Sequence, residues 1–202
     1  NWEKACSVAQ RIPEEFIHVT PEGVDPEIFK PSNEKEIKGD TFDFLLAGKW
    51  EPRKSNLEIC QSFLAAFPAP QFPNVRLYLL CDTLFNCDQY TSTEERLSAH
   101  GISDPRIIPI HFEPRDAYVR RLQSAHVFVS CSRSEGWGLP IIESIGSGVP
   151  TIVADWSGST EYAFDALKVR VVKFKKPEGI YGNWDVPGVW GEPDYDHLVD
   201  VM

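Results

Sequence analysis

Val127-Phe-Val-Ser-Cys-Ser-Arg-Ser-Glu-Gly-Trp-Gly-Leu-Pro-Ile-Ile-Glu-Ser-Ile-Gly-Ser-Gly148 begins with an apolar, β-branched run, crosses a polar glycine-rich turn and enters a second apolar run at Leu139. The first run reads as a strand over 126–129. The second reads as a helix, with Pro140 at the first helical position, where its missing N–H costs nothing and its φ is already set. Gly146 and Gly148 suit the helix exit, and Val149-Pro-Thr-Ile-Val-Ala154 starts another strand. A strand, a glycine turn and a helix N-terminus together make an anion site, because unpaired backbone N–H groups and the helix dipole point to the same place. Glu135 in the turn and Glu143 on the helix frame this element.

The same alternation extends in both directions. Strands are expected at 16–20, 42–48, 75–80, 107–112 (bulged or ended by Pro109) and 169–174, the last of the chain. Helices are expected at 57–67, at 93–100 with Thr91 or Ser92 as cap, at 115–124, after the polar turn 155–162, and from Pro193 onward. A short helix or tail precedes them at 2–11. Segments 33–40 and 181–192 read as loops, the first charged and the second rich in glycine and aromatics. The pattern implies an α/β fold with a doubly wound, Rossmann-like parallel sheet and helices on both faces. Ligands of such sheets sit outside the carboxyl ends of the strands. The polar turns after 42–47, 126–130 and 150–154 should therefore meet on one rim.

With 202 residues the chain suits one α/β domain. Its formal charge of −10, with no long basic run, argues against a nucleic-acid surface. Five scattered cysteines without zinc spacing read as reduced core thiols. No apolar stretch has membrane-spanning length and no signal peptide is evident, so the expected location is cytoplasmic; association with a membrane surface stays open.

Glu135 and Glu143, with seven residues between them in Ser134-Glu-Gly-Trp-Gly-Leu-Pro-Ile-Ile-Glu-Ser144 and Gly-Val-Pro after them, resemble the E-x7-E signature of retaining GT-B glycosyltransferases, family 4 in particular. Pro21-Glu-Gly-Val-Asp-Pro-Glu-Ile-Phe-Lys-Pro31 resembles the segment that leads into the donor domain of those enzymes. Trp190-Gly-Glu-Pro-Asp-Tyr-Asp-His-Leu198 resembles the run before their crossover helix. The resemblance covers 17–202 and implies the donor-binding, C-terminal half of a GT-B enzyme, with 1–15 as a lead-in and the final helix truncated.

The resemblance also implies roles. Lys49 and Lys54, after Gly48, stand at the cationic pair of a G-R-x-x-x-x-K-G motif and should stabilise the leaving diphosphate. Lys49 replaces an arginine, so a point charge stands where a planar fork is usual, and Arg53 is a candidate to supply that fork. Ser55 replaces a glycine. Glu143 should accept hydrogen bonds from ribose hydroxyls, and Glu135 should face the donor sugar. The N–H groups of Gly136, Trp137, Gly138 and Leu139 are candidate sugar and phosphate donors, with glycine at 136 and 138 permitting close approach; Trp137 stands where phenylalanine is usual. Ser157-Gly-Ser-Thr-Glu161 resembles a G-G-x-x-E loop in which Ser159 or Thr160 touches the donor. Ser132, Arg133 and Ser134 are further candidates for the pocket wall, and His111 and Phe112 end a strand near the expected base site.

A hydrolytic carboxylate pair needs its members about 5–10 Å apart across one bond. Glu143 lies well back along the helix, at about 1.5 Å rise per residue, so the two glutamates suit different parts of a long ligand. The expected substrate is a nucleoside diphosphate sugar, with no cofactor and no metal, since no D-x-D-type acidic site lies near the phosphate turns. The acceptor, whether sugar, lipid or protein, would be held by the missing N-terminal acceptor domain. Two alternatives remain at this stage: a nucleotide-sugar epimerase of the same fold, and a donor-binding or interaction module without catalysis.

Overall fold

The computed structural model describes residues 2–32, 40–82, 88–177 and 188–202. After helix α1 (Trp2–Ala9) and a 3-10 turn, Glu14–Phe16, the chain alternates β1 (Phe42–Ala47), α2 (Asn56–Ala66), β2 (Val75–Leu80), α3 (Thr93–Ala99), β3 (Ile107–Pro109), α4 (Arg115–Ser124), β4 (Val127–Ser130), α5 (Leu139–Gly146) and β5 (Thr151–Ala154). It ends with β6 (Leu167–Val169), β7 (Val171–Lys175), β8 (Trp190–Pro193) and α6 (Tyr195–Val201). Six strands form one sheet in the order β3-β2-β1-β4-β5-β6, every pairing parallel. The expected doubly wound Rossmann-like sheet is therefore present.

The sheet is apolar on both faces because successive side chains point to opposite sides. Phe44 and Leu46 of β1, Leu77 and Leu79 of β2, Val129 of β4 and Ile152 of β5 share one layer with Ile59 and Phe63 of α2 and Leu198 of α6. The intervening Leu45, Phe128 and Val153 share the other with Val119 and Leu122 of α4 and Ile141 of α5. Winding proceeds from β1 outward to β3, then returns to place β4 on the other side of β1. The order thus reverses between β1 and β4, and a crevice opens there at the strand ends.

Two strand expectations are corrected. Segment 16–20 is no strand: Phe16 closes the 3-10 turn, 72% exposed, and the following residues join no ladder. Alternating residues make a strand only where an edge is free to pair with them. The expected strand 169–174 is two pieces. β6 stays in the parallel sheet, while β7 pairs antiparallel with β8 in a separate ribbon. Arg170 marks the break, its N–H donating to His197 Nδ1 and its guanidinium pairing with Asp194 at 2.8 Å. The turn 155–162 opens only a 3-10 segment, Gly158–Glu161. Ser92 caps α3 by accepting from Glu95 N–H at 3.2 Å.

Cys60, Cys81 and Cys131 are buried thiols. Cys87, most of the charged 33–40 segment and the aromatics at 181 and 184 lie outside the described residues. No described helix is long and apolar enough to cross a membrane.

Candidate active site

At the reversal point, Gly48 follows β1 and the chain enters a 3-10 turn, Pro52–Lys54, before α2. Gly48 has φ +147, and a Cβ there would touch the Lys54 stem at 3.6 Å, so the lysine lies directly over it. Lys54 Nζ donates to Glu135 Oε1 at 2.5 Å. Arg53 donates to Glu135 Oε2 at 3.1 Å, to the Ser134 carbonyl at 2.6 Å and to Glu51 at 2.5 Å. Glu135 is only 7% exposed. Burial alone would raise its pKa, but the charges of Lys54 and Arg53 outweigh that and hold it below the ordinary glutamate value. Positive charge just ahead of α2 opposes the helix dipole, and the two buried carboxylates offset it.

The Glu135 turn is clamped by the loop after β5. Glu135 N–H donates to Ser157 Oγ at 2.8 Å, and its carbonyl accepts from Gly158 N–H at 3.0 Å. A Cβ on Gly158 would lie 1.8 Å from the Gly136 carbonyl oxygen, so only glycine fits. Gly138, at φ +89, is the N-cap of α5, and Tyr162 Oη donates to the Trp137 carbonyl at 2.6 Å.

Beside this ion cluster lies a cavity of about 500 Å3, largely apolar, at the ends of β1 and β2. Its wall includes Gly48, Lys49, Phe112, Tyr118, Leu139 and Glu143. Glu143 is half-buried and accepts from Tyr118 Oη at 2.6 Å. An apolar cavity with a few polar groups on its wall, next to a charged cluster, suits a ligand with a flat apolar end, hydroxyls and an anionic end.

Residues 28–181 match the model of the family described as glycosyl transferases group 1. The chain belongs to this family. Its fold is shared with the C-terminal domain of the group 1 glycosyl transferase LpcC from Francisella tularensis, at 19% identity and TM-score 0.59, covering 73% of this chain and 80% of that one. HepE from Anabaena, solved with UDP and glucose, matches at 18% identity and TM-score 0.68 over 83% of this chain and 46% of its own. Sucrose-phosphate synthase from Thermosynechococcus elongatus matches at 18% identity and TM-score 0.65 over 98% of this chain and 46% of its own. The chain thus spans about half the length of the latter two. Among curated proteins, none matches it in sequence.

In this glycosyl transferase group 1 domain nine of the predicted residues fall into three groups. Lys54, Arg53 and Glu135 form the ion cluster. Gly48, Lys49, Leu139 and Glu143 line the large cavity. Gly136 and Trp137 line a second cavity of about 280 Å3 shared with α1 and segment 17–21. The cluster adjoins both, since Lys54 crosses Gly48 and Glu135 precedes Gly136. Phe112 is 81% exposed at the rim, and His111 Nδ1 lies 3.3 Å from Asp82.

Ser159 and Thr160 are directed elsewhere. Ser159 is buried and donates to the Trp156 carbonyl at 3.4 Å, while Thr160 donates to the Ser157 carbonyl at 2.7 Å. Arg133, a candidate for the pocket wall, turns inward instead. It donates to Glu192 at 2.8 and 3.0 Å, to Glu58 at 2.6 Å and to the Pro52 carbonyl, while its N–H donates to the Arg53 carbonyl. It thereby pins the turn that carries Arg53 and Lys54.

Sequence reasoning missed Tyr118 and the supporting role of Arg133. A tyrosine on the inner side of α4 reads as packing, and nothing local ties it to Glu143, 25 residues away.

Proposed function

We propose that this domain holds the nucleoside diphosphate sugar donor of a retaining hexosyltransferase, and that the acceptor is held mainly by a further, N-terminal domain. The observation that carries the reading is the Lys54–Glu135–Arg53 cluster at the reversal point of the sheet, beside a cavity with Glu143 on its wall. HepE, of the same fold, binds UDP and glucose, which supports a nucleotide-sugar ligand at this rim.

The nucleoside occupies the 500 Å3 cavity, with its ribose hydroxyls donating to Glu143. The diphosphate draws Lys54 and Arg53 towards it, and Lys49 adds charge from the cavity side. Glu135, released from part of its pairing, faces the donor sugar and stabilises positive charge at the anomeric carbon. The bond between that carbon and the β-phosphate oxygen breaks, and its electron pair leaves with the phosphate. An acceptor hydroxyl attacks from the same face, its proton passes to the leaving phosphate, and anomeric configuration is kept.

Titrating the chain calorimetrically with UDP-, GDP- and ADP-glucose and the matching mannose donors tests the binding step. Saturable binding of at least one donor is expected; no heat from any of them would overturn the reading. Product analysis of the full protein separates transfer with retention from epimerisation of the donor.

A further inference from the structure

The wall of the large cavity carries a polar contact that packing does not require. The other inner side chains of α4, Val119 and Leu122, are apolar and seal the core. Tyr118 shares their side of the helix, yet its hydroxyl donates to Glu143 Oε2 at 2.6 Å on the cavity wall. Phenylalanine would fill nearly the same volume without the hydroxyl, so the oxygen calls for a polar explanation. Burial and the adjacent Glu143 carboxylate both raise the phenol pKa, so the group stays a hydrogen-bond donor across the neutral range. A free glutamate samples many rotamers, and ordering one costs conformational entropy. A donor fixed on one oxygen removes much of that freedom before a ligand arrives, and leaves the other oxygen to accept.

We propose that Tyr118 is a positioning residue, holding Glu143 by Oε2 so that Oε1 is presented to the vicinal hydroxyls of a nucleotide ribose. This role rests on the reading of Glu143 as the ribose acceptor, and it explains why that glutamate has a tyrosine beside it.

The chain and its Tyr118→Phe and Glu143→Ala variants are titrated with UDP, GDP and ADP and with the 2′,3′-dideoxy form of each, and their thermal unfolding is recorded. Wild type should prefer the ribose form. Tyr118→Phe should lose about five- to tenfold in affinity for the ribose form of whichever nucleotide binds, part of the cost of ordering a free glutamate side chain. Its affinity for the dideoxy form and its unfolding temperature should hold. Glu143→Ala should erase the preference altogether. Equal weakening of both forms by Tyr118→Phe would show a packing role only, and no weakening of either would show that Glu143 needs no support; each overturns the positioning role. Full ribose preference in Glu143→Ala would remove the ribose reading itself, whatever Tyr118 does. Binding of none of the three nucleotides would remove the donor site as a whole.

Discussion

Glu135 and Glu143 belong to one turn and helix, yet the regions around them are built on opposite plans. Around Glu135 space is closed: the carboxylate is buried, both oxygens are taken by Lys54 and Arg53, and its backbone is tied to Ser157 and Gly158. Around Glu143 space is open, with a cavity of about 500 Å3 and a tyrosine on one oxygen. Charges kept away from water need fixed partners, so removing one partner from the closed region leaves another charge buried and unpaired. In the open region the side chains of the wall border a space that they do not fill. Substitutions in the first should therefore register in unfolding and those in the second in binding, while Lys54, on the border between them, should register in binding as well.

Arg133→Ala should have the largest effect. It strips a buried network of the cation that Glu58 and Glu192 share, and urea unfolding should show a loss of about 3–5 kcal/mol. A loss below about 1 kcal/mol would mean that the closed region is not rigidly built. Gly158→Ala comes next. Its Cβ must displace the Gly136 carbonyl from 1.8 Å, and overpacking of this kind costs about 1–3 kcal/mol. The same method reads it, and a neutral outcome would show that the two loops are not in tight contact.

Acid should loosen the closed region by degrees. Burial works to raise the Glu192 pKa, but Arg133 and Lys175 outweigh it and hold the value at about 2. A carboxylate depressed in this way stabilises the fold above its unfolded value of 4.5, and that stability drains away as pH falls from there towards about 2. Unfolding followed across this window should show a steeper slope for wild type than for Glu192→Gln; identical slopes would contradict the pairing. Phe112→Ala, on the open side, should have the smallest effect. The ring is 81% exposed, and stability should stay within about 0.5 kcal/mol of wild type.

The parts of the fold that could be read from sequence are those whose signal is local. The apolar runs at 42–48, 75–80 and 126–129, each bounded by polar turns, became β1, β2 and β4 because both faces of a central strand must be apolar. Segment 16–20 carries similar residues but no partner strand, and pairing is invisible in a single stretch of chain. Likewise 169–174 stays β-branched across Arg170, while the change of sheet is decided by His197 and Asp194 far downstream.

The site divides in the same way. The spacing of Lys54, Glu135 and Glu143 could be read by resemblance, and Lys54 and Glu135 do meet. The direction of Arg133 could not, because Glu192 lies 59 residues further on. Two serines found where glycine is usual are instructive. Ser55 has φ +56 and Ser157 φ +67, both left-handed, so glycine in that pattern serves backbone geometry. Each serine makes a compensating bond, from Tyr195 Oη to Ser55 Oγ at 3.1 Å and from Glu135 N–H to Ser157 Oγ at 2.8 Å. Strain of about 1–3 kcal/mol can persist where surroundings hold it in this way.

The proposed role of Lys54, the lysine of the closed region, is to receive a diphosphate at the mouth of the open one. Calorimetric titration of wild type and Lys54→Ala with UDP, GDP and ADP, each beside its parent nucleoside, measures that directly. Lys54→Ala should lose about ten- to a hundredfold in affinity for the diphosphate that binds, and should keep its affinity for the nucleoside. Equal affinity of the two proteins for that diphosphate would contradict it.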